Sequence, residues 1–106
     1  MNDKVVVNEI VLLAVVVERK RKDALIGALS KAGGQLINTI YGKGLVKAGY
    51  LREALGLVPE DNRVLVTCLL PSEESGPVIE ALTGEFDLDK PNAGIAFTIP
   101  VETLSF

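Results

Sequence analysis

Apolar and polar positions alternate between strand-like and helix-like patterns along the chain. From Val5 to Val17, β-branched Val and Ile dominate a run too short and too branched for an ordinary helix. Its second part reads as a strand buried on both faces. The charged block Glu18, Arg19, Lys20, Arg21, Lys22 then opens a segment with Ala24, Leu25, Ala28, Leu29 and Ala32 at helical spacing, which predicts an amphipathic helix closed by Gly33-Gly34. Leu36, Ile37, Thr39, Ile40 and Tyr41 form a second strand that breaks at Gly42 and Gly44.

Lys43 to Asn62 is a long excursion. It contains Gly49 and Gly56, a short apolar helical face of Tyr50, Leu51, Ala54 and Leu55, and a polar exit at Pro59, Glu60, Asp61 and Asn62. Connections of that length inside compact domains are usually functional or mobile. A third strand spans Arg63 to Leu70, and Pro71-Ser72 with Glu73 and Glu74 marks the start of a helix running from about Glu74 to Leu82. Thr83-Gly84 is expected to end it. An acidic turn, Glu85 to Asn92, leads to a fourth strand from Gly94 to Val101 with Pro100 near its end.

The order is βαβ, a long excursion, then βαβ, which predicts an α+β, ferredoxin-like βαββαβ fold: a four-stranded antiparallel sheet with two helices on one face. Strands one and three, VLLAVVV and VLVTCLL, are apolar at nearly every position. Both sheet faces should then be dry, whereas a lone subunit of this fold wets one, so the pattern predicts an oligomer that buries the open face.

Composition narrows the functional classes. The 106 residues, 48% apolar and 24% charged, make one domain spanning 1–106. A net charge of −3 and a pI near 4.9 argue against a general nucleic-acid binder. Cys68 is the only cysteine and histidine is absent, which excludes an intrachain disulfide, a Cys/His zinc site and a His-based nucleophilic triad. The most apolar stretch, Ile10 to Val17, falls far short of the ~20 residues a membrane helix needs, and no signal-peptide cleavage pattern follows it. A cytoplasmic protein that is not membrane-embedded is expected.

Several constellations carry candidate chemistry, each beside a plainer reading. Gly42-Lys43-Gly44 at a strand end is either a simple turn or a place where backbone without Cβ atoms approaches a phosphate. Arg19-Lys20-Arg21-Lys22 falls in the expected first helical turn, where the macrodipole disfavours cations. It reads as a solvated face or as cations offset by a bound anion. Glu85, Asp87 and Asp89 alternate without calcium-loop spacing and read as an acidic surface turn, with no metal site expected. Tyr50 and Arg52 are partner contacts, a modification site, or, for Tyr50, a staple of the excursion to its own core. Cys68 reads as a small buried apolar residue. No residue set supports catalysis, so the chain is not expected to be an enzyme.

Ala96-Phe97-Thr98-Ile99-Pro100-Val101-Glu102 resembles the final-strand pattern I-F-V-L-P-V-E of the PII signal-transduction (nitrogen regulatory) family. Val78-Ile79-Glu80-Ala81 resembles the P-V-I-E-A of that family's second helix, and Gly33 to Thr39 with Gly42-Lys43-Gly44 looks like its second strand and the base of its T-loop. The resemblance runs from about Asn8 to Leu104. It implies a homotrimer with sheets packed inward, effector clefts between subunits, and a T-loop, here the excursion with Lys47, Tyr50 and Arg52, that docks on a partner such as a transporter or metabolic enzyme.

In that family, adenine-nucleotide phosphates are held by the G-x-G at the T-loop base and by a T-G-x-x-G-D-G-K loop before the last strand. The resemblance therefore implies an effector site at Gly42, Lys43, Gly44, Thr83, Gly84, Lys90 and Gly94, with ATP, ADP or another anionic nucleotide as ligand. Departures accompany it. Ile95 takes the place of the family's phosphate-binding Lys, Asn92-Ala93 replaces Gly-Asp, and the Thr83 to Gly94 segment is longer. With the chain ending at Phe106, the basic C-terminal extension of typical members is expected to be missing. Two lost charge-assisted contacts, each worth about 1.5–3 kcal/mol, lower affinity a hundredfold or more; Lys90 or the Arg19 to Lys22 cluster would have to substitute. Tyr50 is followed by Leu51 and Arg52 rather than by the family's modification motif. Neither typical Mg-ATP-2-oxoglutarate sensing nor uridylylation is expected. Two functions remain open: a divergent PII-like regulator, or a constitutive trimeric interaction module comparable to the CutA proteins, with no nucleotide binding.

Overall fold

The computed structural model describes residues 4–41, 62–91 and 93–105; Gly42, Lys43, Gly44, Lys47, Tyr50, Arg52 and Asn92 lie outside the described residues. Strand β1 (Lys4–Glu18) is followed by a 3-10 turn (Arg19–Arg21), helix α1 (Lys22–Lys31) and strand β2 (Gln35–Tyr41). Strand β3 (Arg63–Pro71), helix α2 (Ser72–Phe86) and strand β4 (Ile95–Ser105) complete the order. The sheet is antiparallel with strand order β2-β3-β1-β4, the ferredoxin-like arrangement read from the sequence. Both long apolar strands lie side by side at its centre, in unbroken register from Ile10 opposite Pro71 to Glu18 opposite Arg63.

Side chains alternate across the sheet, so every second residue faces the helices. On that side Val11, Leu13, Val15 and Val17 of β1 and Val64, Val66, Cys68 and Leu70 of β3 pack with Leu25 and Leu29 of α1 and Leu82 and Phe86 of α2 into one buried core. The intervening residues face the other way. By register, Ile99, Leu12 and Leu69 form one row on that open face, and Ile95, Val16, Leu65 and Ile40 form another. Ile40 and Ile99 are 46% and 49% exposed.

The end of α1 explains why two glycines stand there. Gly33, at φ 87°, takes the left-handed position after the C-cap; its N–H donates to the Ser30 carbonyl and that of Gly34 to the Leu29 carbonyl, the paired bonds of a Schellman motif. A Cβ on Gly34 would lie 3.0 Å from both the Cys68 sulfur and the Leu29 carbonyl oxygen, so the second glycine is favoured by tight packing rather than by φ.

The second half differs from expectation in two places. Helix α2 does not stop at Thr83-Gly84 but continues to Phe86, and the chain turns at Asp87, which adopts a left-handed conformation at φ 56°. The extra turn places Phe86 in the core. Strand β4 runs past Val101 to Ser105, pairing with the outer part of β1 as far as Lys4, with a register shift between Val6 and Ile10. Pro100 therefore lies inside the strand, tolerated because β4 is an edge of the sheet.

Candidate functional site

The Glu18–Lys22 turn lies where three parts of the chain meet. Contrary to the expected position in a helical turn, Arg19, Lys20 and Arg21 occupy the 3-10 turn between β1 and α1, and only Lys22 belongs to the helix. Each cation is engaged. Arg21 donates from its two terminal guanidinium nitrogens to the Phe86 and Glu85 carbonyls, each at 3.0 Å, with its charge 4.7 Å from the Phe86 ring centroid. These carbonyls terminate α2 and have no partner within the helix, and the negative end of the helix dipole favours a cation there. Arg21 is thus the cap of a helix far away in sequence.

Its neighbours grip the opposite side. Arg19 lies 5.0 Å from the Tyr41 ring centroid, and Lys22 Nζ lies 5.4 Å from it while donating to the Tyr41 hydroxyl at 3.1 Å. Tyr41 is the last residue of β2 and immediately precedes Gly42. The Arg19 backbone N–H also donates to the Asn62 carbonyl, at the other end of the 42–61 segment. The hydrogen bond from Lys22 to the Tyr41 hydroxyl, then the charges of Tyr41 and Asp23, raise the Lys22 ammonium above its ordinary value; Asp23 Oδ1 is 3.6 Å away. Lys20 pairs with Glu18 at 3.4 Å. The basic block therefore holds the base of the excursion and the end of α2 together. Nothing in the linear spacing signalled those aromatic and carbonyl partners.

The residues expected between α2 and β4 have individual geometries. Thr83 lies inside the helix, where its hydroxyl donates to the Ile79 carbonyl at 2.8 Å and its own carbonyl accepts from Leu88 at 3.1 Å. Gly84 is also helical, and exposed. Lys90 is exposed and pairs with Asp87 at 3.2 Å, so one carboxylate of the acidic turn meets a cation. Gly94 has φ 143°, and a Cβ there would collide with the Val16 carbonyl oxygen and lie 3.3 Å from Leu88. That position accepts only glycine. Ile95 begins β4 opposite Val16, on the open sheet face, where a lysine ammonium would compete with the apolar row.

The Leu88 N–H is thus bonded to Thr83, and its side chain lies beside the space that a Cβ on Gly94 would enter. Arg21 ties the end of α2 to the Arg19–Lys22 turn, whose Arg19 and Lys22 side chains engage Tyr41. Cys68, expected to be a buried apolar residue, is fully buried, and burial pushes its thiol up. Among the described residues, no group of His, Cys, Asp and Glu could hold a metal, and no helix is long and apolar enough to cross a membrane.

No protein-family model and no curated protein matches the chain. Solved structures share its fold. The apo form of CPII from Thiomonas intermedia K12, a nitrogen regulatory PII-like protein, superposes with a TM-score of 0.68 at 15% identity, covering 97% of this chain and 98% of that one. A structure of CPII bound to ADP, AMP and bicarbonate gives 0.64 at 15% identity, covering 92% and 93%. A PII-like signaling protein from Thermus thermophilus gives 0.65 at 16% identity, covering 97% and 92%.

Proposed function

We propose that this chain is a divergent PII-like signalling protein, a non-enzymatic homotrimer that binds an anionic small effector, with an adenine nucleotide as the leading candidate, between subunits and regulates a partner protein through the 42–61 segment. The observation that carries this reading is the likeness to CPII over 97% of the chain, given that CPII has been seen with ADP, AMP and bicarbonate. Physical features support it. The open sheet face has the apolar residues Leu12, Leu65, Leu69, Ile95, Ile40 and Ile99 in two rows, with Thr67 and Asn38 in the row between them, an apolar excess of the kind that another subunit covers. The end of α2 and Tyr41 are both held by the Arg19–Lys22 turn, the first through Arg21 and the second through Arg19 and Lys22, so a ligand touching one can bias the other.

The proposed effector site consists of Gly42, Lys43, Gly44, Thr83, Gly84, Lys90 and Gly94, with Lys47, Tyr50 and Arg52 as proposed partner contacts. Within the α2–β4 turn, Lys90 supplies a cation and Gly94 a backbone free of Cβ. The switch would work by differential contact: a nucleotide favouring one arrangement of the excursion shifts its population by as much as its affinities for the two arrangements differ. The second reading, a constitutive trimeric module, is favoured by Ile95, which puts an apolar strand residue where the resemblance calls for a phosphate-binding lysine.

Calorimetric titration with ATP, ADP, cyclic AMP and bicarbonate separates the two, with sedimentation reporting subunit number. A regulator gives a particle three times the 11.3 kDa subunit mass, saturable heat with at least one nucleotide and a melting temperature raised by mass action. A trimer silent towards all four ligands is the constitutive module. A well-behaved monomer removes both readings.

A further inference from the structure

We propose that Arg21 is a positioning residue that couples the base of the 42–61 segment to the turn between α2 and β4. Three observations carry this. Arg21 holds the Glu85 and Phe86 carbonyls at 3.0 Å each and stacks 4.7 Å from the Phe86 ring, so the turn bearing it cannot shift without releasing the end of α2. Arg19 and Lys22, on either side of Arg21, hold Tyr41, and the Arg19 N–H holds Asn62, so the same turn cannot shift without releasing both ends of the excursion. The turn itself is a single 3-10 turn, Arg19–Arg21, continuous with α1.

The end of α2 passes movement onward. Asp87 is left-handed, Leu88 bonds Thr83, and the Leu88 side chain rests against the position where Gly94 admits no Cβ. A change at Gly94 or Leu88 is therefore passed to Tyr41 through Arg21, the backbone of the 19–22 turn, and the Arg19 and Lys22 side chains. Coupling of this kind is reciprocal: what loosens Tyr41 must loosen the α2–β4 turn by the same free energy. That the coupled elements sense a nucleotide and steer a partner rests on the functional reading above; the coupling itself does not.

The test is residue-resolved amide exchange by NMR on the ligand-free full chain. Arg21→Met keeps the apolar stem and removes both carbonyl bonds. It is expected to speed exchange about fivefold or more at Leu88 and Lys90 and, across the turn, at Arg19, whose N–H is bonded to Asn62. Tyr41→Ala is expected to speed exchange at Leu88 and Lys90 in return. Arg21→Lys, which retains a cation for a carbonyl, restores part of the protection. Leu13 and Val66 in the central strands should be unchanged, which separates local release from general destabilisation. Faster exchange confined to Leu88 and Lys90 in Arg21→Met, with Tyr41→Ala silent there, reduces Arg21 to a helix cap and overturns the coupling. A uniform rise that includes Leu13 and Val66 also overturns it. Failure of ADP to bind the unsubstituted chain overturns the functional reading while these exchange results stand.

Discussion

On the helix side of the sheet, Leu13, Val15, Val66 and Cys68 are fully buried beneath Leu25, Leu29, Leu82 and Phe86. On the opposite side of the same strands, Leu12, Leu65 and Leu69 are only partly buried, and Ile40 and Ile99 are about half exposed. The residue types hardly differ between the two faces. One is closed by the chain's own helices; the other has no covering element among the described residues. Antiparallel strands with one wet face normally alternate apolar and polar residues, and here that alternation is largely missing. The apolar rows of the open face are the surface that the proposed trimer would cover.

Adjacent substitutions on one strand separate these roles. Leu13→Ala, on the helix side, is expected to lower unfolding free energy by about 2–5 kcal/mol in urea titration, because it leaves a cavity in a core with no exposed wall. Leu12→Asp, one residue away on the open face, should instead dissociate the proposed trimer in sedimentation while far-UV circular dichroism of the subunit persists. If Leu12→Asp leaves the particle mass unchanged, the open face is not the assembly surface and the contrast fails.

Gly94→Ala probes the border of the two faces. The Cβ would meet the Val16 carbonyl oxygen with φ at 143°, so a loss on the order of 1–3 kcal/mol is expected in the same titration; a neutral substitution would show that this crossing can relax.

Two titrations give smaller effects. Burial raises the Cys68 thiol, so the unfolded chain ionises first, near about pH 8.5. Stability of the unsubstituted chain should fall relative to Cys68→Ala as pH rises above that value, with slow thiol labelling of the native state below it. For Lys22 the raised group is a base held charged, first by its hydrogen bond to Tyr41. Its stabilising contribution is present below the unfolded lysine value, near about 10.4, and lost as pH rises through the higher folded one. The stability gap between the unsubstituted chain and Lys22→Met should therefore be constant at neutral pH and close only under strongly alkaline conditions.

Strands, the first helix and the position of the excursion were legible because each rests on neighbours in sequence: β-branched runs, helical spacing, and Gly33-Gly34 at a helix end. The second helix was misread at Thr83-Gly84 because a Thr-Gly pair resembles a stop. Thr83 instead bonds back to Ile79, and the helix continues until Phe86 is buried. The basic block was misread for a similar reason. As a local pattern, Arg19 to Lys22 is a charge run; its partners Tyr41, Glu85 and Phe86 lie on other elements. Of the candidate site, Gly94 is named by resemblance, and a structural need for glycine there is visible only where it crosses Val16.

By itself the sequence determined the order of elements, the apolar character of both sheet faces, and the exclusion of histidine and disulfide chemistry. Those follow from composition and from periodicities of two and 3.6 residues, which are local. Tertiary structure alone decided where the second helix ends, which face the helices cover, and that the cationic turn ties Tyr41 and Asn62 to the end of α2. Arg21 and Phe86 are 65 residues apart, and a contact at that separation exists only after the strands between them have paired.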